Sequence, residues 1–139
     1  MKRVFLDANV LFTAAHNPNG KTAFLIELAV AGKFKLFTST YAREEAERNI
    51  CAKYPGCAVG LEHTLENITI IPVTSQSAGC PEILPAKDAP IFAAAVQCRS
   101  THLLTGDTRH FGPLMNRPDL CKGMIVQTVA QFLDSLLQE

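Results

Sequence analysis

The chain has 139 residues and 47% of them are apolar, enough for one compact core and too many for intrinsic disorder. Thirteen basic and thirteen acidic side chains cancel. That excludes the broad basic excess of a non-specific nucleic-acid binder, though not a local basic rim around an acidic pocket. No stretch has the length and apolarity of a membrane span, and the first residues read into a strand rather than a leader peptide. The five cysteines (Cys51, Cys57, Cys80, Cys98 and Cys121) include no CxxC pair. They read as reduced thiols of a cytoplasmic protein.

Residues 1–139 read as one domain. Val4-Phe5-Leu6 is a short apolar run ending at Asp7, the pattern of a buried strand. After the turn Asn17-Pro18-Asn19-Gly20, a helix runs through Phe24, Leu25, Leu28 and Ala29 and stops near Gly32. Lys35-Leu36-Phe37 is a second strand. Thr38-Ser39-Thr40 then offers N-cap hydroxyls to a helix reaching about Lys53. Pro55-Gly56 breaks the chain before a weaker helix from Val59 to Glu66. Ile68 to Val73 is β-branched and reads as a third strand, followed by a loop from Thr74 to Lys87. Asp88-Ala89-Pro90 opens a helix, with Asp88 placed to cap it. His102 to Thr105 is a fourth strand and Met124-Ile125-Val126 a fifth. Val129, Phe132, Leu133, Leu136 and Leu137 form the apolar stripe of a last helix. Strands alternating with helices predict an α/β protein. Its architecture is a three-layer α/β/α sandwich around a mostly parallel five-stranded sheet.

Open parallel sheets bind ligands beyond the carboxyl ends of their strands. Asp7 follows the first strand directly, and Asp107 follows the fourth after Gly106. Asp88 opens the helix that leads into the fourth strand. The helix after the second strand carries Glu44, Glu45 and Glu47, and helical angle sorts them. With Ala42 at the origin and about 100° per residue, Ala46, Asn49 and Ile50 mark the inward stripe and Glu45 falls about 60° from the origin, while Glu44 and Glu47 point away. Taken singly, each acid has an ordinary structural role: a cap, a turn residue, half of a surface ion pair. Together they repel, and a buried carboxylate at the end of a strand is costly without compensation. A hard divalent cation compensates it. Carboxylate oxygens suit Mg²⁺ or Mn²⁺, and the histidines lack the spacing of a zinc site.

Such an ion keeps open positions for a substrate phosphate and can orient and acidify a water for attack on phosphorus. The reaction class that follows is phosphodiester hydrolysis. Arg43, Lys87 and Arg109 are the candidate phosphate contacts, with ordinary solvated surface as the alternative. His110, three residues past Asp107, is a further candidate contact. Asn9 is placed either to bond an acid or the loop backbone, or to cap a helix. Thr105 can present its hydroxyl to the metal shell or to Asp107. His16, His63 and His102 read as surface or capping residues, and Cys98 as core.

Leu6-Asp7-Ala8-Asn9-Val10 resembles the opening motif of PIN-domain proteins. Glu45 at the front of a helix after Thr38-Ser39 is similar to their second acid. Asp88 before Ile91 and the alanine-rich helix is similar to their third. Leu103-Leu104-Thr105-Gly106-Asp107, running on to His110-Phe111, resembles their fourth. The resemblance spans nearly the whole chain in the right order. It implies divalent-metal-dependent ribonuclease activity on RNA, often as the toxin of a VapC-type toxin–antitoxin pair. It also implies that homodimers are common and that an antitoxin tail can block the acidic pocket. Two other readings are open. One is a non-catalytic module that keeps the fold as an RNA- or protein-binding platform. The other is a haloacid-dehalogenase-like Mg²⁺ phosphohydrolase, whose second aspartate would fall where this chain has Asn9.

Overall fold

The computed structural model describes residues 1–72 and 80–139. The end of the predicted third strand at Val73 and the predicted loop over 74–79 lie outside the described residues. Five strands form a single parallel sheet: β1 (Arg3–Leu6), β2 (Lys35–Ser39), β3 (Thr69–Ile71), β4 (His102–Leu104) and β5 (Ile125–Gln127). Six α-helices accompany them: α1 (Ala8–His16), α2 (Lys21–Val30), α3 (Thr40–Lys53), α4 (Ala58–Leu65), α5 (Ala89–Gln97) and α6 (Val129–Leu137).

The strand order is β3-β2-β1-β4-β5. Val4, Phe5 and Leu6 of the central strand are fully buried, as an unbroken apolar run covered on both faces should be. Phe5 stands in register with Phe37 on one side and Leu103 on the other. Helices α1, α3 and α4 pack together with α5 against α3, while α2 packs on α6. The approach of α4 to α1 requires a glycine, because a Cβ on Gly60 would lie 2.9 Å from the carbonyl oxygen of Ala15. On the α6 side, Phe132 meets Phe34 and His102 edge-on.

The topology fixes where a site can form. From β1 the chain proceeds outward to β2 and β3, then returns across the sheet to β4 and β5. The reversal opens a crevice between the carboxyl ends of β1 and β4, where open α/β sheets hold their ligands. Asp7 ends one wall of that crevice and Thr105-Gly106-Asp107 ends the other.

Two expectations need correction. The sequence reading assigns no helix between Asp7 and the turn at Asn17, yet α1 fills that interval. No linker announces it, because Asp7 closes the strand and caps the helix at once, accepting a 2.7 Å bond from the amide of Ala8. Ala8, Val10, Leu11, Ala14 and Ala15 are its buried face. His102 is neither a surface nor a capping residue. It is buried in β4 against Phe132, with Thr101 Oγ1 2.8 Å from its Nδ1, and burial pushes its pKa down.

Candidate active site

Asp7 is buried at the mouth of the crevice, only 4% exposed. One carboxylate oxygen accepts from the amide of Ala8, and the other accepts a 2.8 Å bond from the Thr105 hydroxyl. That hydroxyl is fully buried and accepts in turn from the amide of Asp107 at 3.0 Å and from Asn9 Nδ2 at 3.3 Å. Asn9 Nδ2 also lies 3.4 Å from Asp7 Oδ2, and Asn9 Oδ1 accepts a 2.7 Å bond from the amide of Gly106. The two loops at the crevice are therefore tied by one connected set of polar bonds. Asn9 bonds both an acid and the loop backbone, and the cap of α1 is Asp7 instead.

The other acids arrive from α3, α5 and the turn after β4. Glu45 is half-buried while Glu44 and Glu47 are exposed, as the helical angles require. Its negative charge reaches Asp7. Asp88 occupies the N-cap position of α5 but caps no amide with its side chain. Its carboxylate is turned instead toward Asp107 and His110. Asp107 Oδ1 accepts from the amide of His110 at 3.0 Å, and its Oδ2 lies 2.8 Å from His110 Nδ1. The same Nδ1 is 3.2 Å from Asp88 Oδ2. Neither approach is aligned as a hydrogen bond. His110 Nδ1 and Asp88 Oδ2 are both buried without a hydrogen-bond partner.

The charges show strain. Burial pushes the Asp7 carboxyl up to about 6. Its bonds from Thr105 and Ala8 oppose that rise, and the negative charges of Glu45 and Asp88 add to it. Asp88 is raised as well, first by burial and further by Asp107, against the pull of His110 and Lys87. Unpartnered buried atoms among mutually repelling carboxylates fit a site that a cation could neutralise. Ligand atoms of Asp88, Asp107 and His110 lie within 4.8 Å of one another, close enough to share one ion. The carboxylate oxygens are hard donors suited to a divalent cation, and the imidazole nitrogen leaves its identity open. Sequence reasoning placed His110 at a substrate phosphate, whereas the structure sets its ring against the acids. The spacing of three residues from Asp107 was the available signal.

The predicted phosphate contacts are less concentrated. Lys87 is exposed and near enough to Asp88 to affect it, and its carbonyl accepts from the Tyr41 hydroxyl of α3. Arg109 is exposed on the turn after β4. Arg43 lies along α3 with its Nε 3.6 Å from Glu47. Beside the acids, a cleft of about 640 Å³ opens between the β4 turn and the starts of α2 and α6. Asn9, Thr105, Gly106 and Asp107 form its inner wall.

A PIN domain family model matches residues 3–109, nearly the whole sheet and every acid of the cluster. The chain belongs to the PIN-domain family. It is thereby placed in a family of nucleases, and its parallel sheet is the PIN-like α/β fold. Solved structures with this fold include VapBC2 from Rickettsia felis bound to a DNA fragment from its promoter. That match has a TM-score of 0.67 at 15% identity and covers 91% of this chain and 98% of the other. VapBC-1 from nontypeable Haemophilus influenzae matches at a TM-score of 0.59 and 15% identity, covering 92% and 98%. VapC20 from Mycobacterium tuberculosis, a toxin that cleaves the sarcin–ricin loop, matches at 0.57 and 10% identity, covering 79% and 94%. A search of curated proteins finds no match. Within this PIN domain the described residues hold no helix long and apolar enough to cross a membrane.

Proposed function

We propose that this PIN domain is a divalent-metal-dependent endoribonuclease that hydrolyses RNA phosphodiester bonds. The observation that carries the reading is the convergence at one crevice of Asp7, Glu45, Asp88 and Asp107, from four separated segments, around buried atoms that lack partners. A non-catalytic platform has no need for that electrostatic cost.

Asp88, Asp107 and His110, with Asp7 and Glu45 behind them, would hold Mg²⁺ or Mn²⁺. When bound, such an ion neutralises phosphate charge and lowers the pKa of an attacking water. The chain's own groups then have definite tasks. Thr105 and Asn9 fix the orientation of Asp7 and the height of the Asp107 turn. His110 holds Asp107 in place through its backbone amide. Lys87, whose charge reaches Asp88, is the first candidate to meet a flanking phosphate, with Arg109 and Arg43 as the others. We also assign the protein to the cytoplasm as the toxin of a toxin–antitoxin pair, with the antitoxin as partner and a homodimer as its assembled form.

The test is cleavage of unstructured RNA by the purified chain. Cleavage is expected with Mg²⁺ or Mn²⁺, is stopped by EDTA, and returns on adding excess metal. Asp107→Asn is expected to fold normally and to lose activity by more than about 100-fold, since even supporting residues of metal sites cost 10–100-fold. Undiminished cleavage in EDTA, with contaminating nucleases excluded, removes the metal mechanism.

A further inference from the structure

The cleft beside the acids has a feature that the proposed chemistry does not use. Its outer wall includes Lys21 and Thr22, the first two residues of α2. The residue before them, Gly20, is the helix N-cap and supplies no side-chain bond. Among the described residues, the amides of Lys21, Thr22 and Ala23 have no backbone acceptor, because the first bond into this helix runs from Phe24 to the carbonyl of Gly20. The start of α6 borders the same cleft and behaves differently. There Thr128 and Gln131 form a capping box that closes its own donors. Of the two helix ends at this cleft, α2 is the one left open.

A second observation points to a ligand. Thr22 is only 6% exposed, yet its side chain lines the cleft and its hydroxyl has no protein partner among the described residues. The hydroxyl is not shut away from solvent, so it opens to the cleft and is free to donate there. Lys21, beside it, is exposed and pairs with no carboxylate among the described residues. Free amides, a helix dipole, a hydroxyl donor and an ammonium group together suit a phosphate oxygen. Gly-Lys-Thr at a helix start is also the residue order that phosphate-binding loops use. Here a helix, α1, rather than a strand leads into it, and Ala15 stands where those loops begin with glycine.

We propose that the start of α2 binds a backbone phosphate of a single nucleic-acid strand, next to the phosphate presented to the acids. This inference rests on the nuclease reading for the identity of the strand. Asn9 and Asp107 line the same cleft, so a strand lying in it passes from the acids to Lys21 without leaving the surface. The site would set the direction and register of the strand rather than its sequence.

The experiment uses the full chain without metal, so that the strand survives, and reads amide chemical shifts on titration with oligouridylate and, separately, with inorganic phosphate. Oligouridylate is expected to move the Lys21, Thr22 and Ala23 amides. Lys21→Ala is expected to weaken oligouridylate binding by roughly tenfold at low salt. It should also reduce the slope of log affinity against log salt by about 0.7, the value for one phosphate contact on a single strand. Thr22→Val, which keeps the shape, should weaken binding several-fold and leave that slope alone. The proposal is overturned if the strand binds without moving these amides, or if Lys21→Ala leaves the slope unchanged. It is overturned too if only inorganic phosphate moves them, since the site then takes a free anion. A chain that binds the strand through α2 but does not cleave it with Mg²⁺ or Mn²⁺ supports this inference and sinks the nuclease reading. Cleavage with no such shift does the reverse.

Discussion

In metal-free buffer near neutral pH, Asp7→Asn unfolds at a higher temperature than the unmodified chain. The reason is the buried carboxylate. Asp7 is held at about 6 in the folded protein against 3.8 for the free side chain, chiefly by burial. A group that binds its proton more tightly when folded favours folding at low pH. That contribution is complete below about 3.8 and is lost as pH rises through about 6. Above that range the charged Asp7 costs the metal-free fold about 3 kcal/mol. Asparagine removes the charge and keeps the cap on Ala8, since asparagine and aspartate cap helices equally well. Melting curves of the two proteins in EDTA, taken across this pH window, check the sign. The gap between them should open as pH rises and close at the acid end. Excess Mn²⁺ should then stabilise the unmodified chain by mass action and the variant far less. A variant that melts lower than the unmodified chain in EDTA near neutral pH contradicts the account of Asp7 as a strained ligand.

Thr105→Val has the opposite effect on stability, and a large one. The hydroxyl donates to Asp7 Oδ2 and accepts from the Asp107 amide and from Asn9 Nδ2, all inside a fully buried site. Valine has nearly the same shape and none of these bonds. It leaves a buried carboxylate without its hydroxyl donor, the Asp107 amide without an acceptor, and Asn9 Nδ2 with only the long bond to Asp7. A bond to a charged group is worth about 1.5–3 kcal/mol, and each orphaned group adds desolvation cost, so a loss of about 3 kcal/mol or more is expected in urea unfolding. The Asp7 carboxyl should rise further, because the Thr105 bond is what most opposes its upward shift. Thr105→Ser keeps the oxygen and should recover most of the stability. In an Asp7→Asn background the valine penalty should shrink, since the uncompensated charge is gone. Equal losses for serine and valine would place the effect in packing and remove the hydroxyl from the argument.

The strands, most helices and the acids were legible because each rests on local chemistry. Glu45 could be separated from Glu44 and Glu47 by angle alone, and the burial of that helix follows the same angles. Asp7 and Asp107 could be placed because strand ends in parallel sheets share one edge. What sequence could not show is how elements abut. Helix α1 was invisible because its cap is also the last residue of the crevice wall, leaving no turn to mark a boundary. The end of β4 falls one residue early for a similar reason: Thr105 looks like strand by type but is spent on Asp7 and the turn. His102 looked superficial because its neighbour Phe132 comes from a helix about thirty residues away. His110 was assigned to substrate because sequence gives its distance from Asp107 but not the position of Asp88, which arrives from another crossover. Asp88 itself was legible as an acid and misleading as a cap.

Crystals soaked in Mn²⁺ and measured for anomalous scattering test directly whether the acids share an ion. The prediction is a peak in the crevice with carboxylate oxygens of Asp88 and Asp107 about 2.1–2.2 Å away, allowing for an ion slightly larger than Mg²⁺. His110 should either join them or turn aside, and the peak should vanish in Asp107→Asn. Saturating Mn²⁺ that gives no peak there, with Asp88 and His110 keeping their metal-free positions, contradicts the claim that these acids exist to hold a cation.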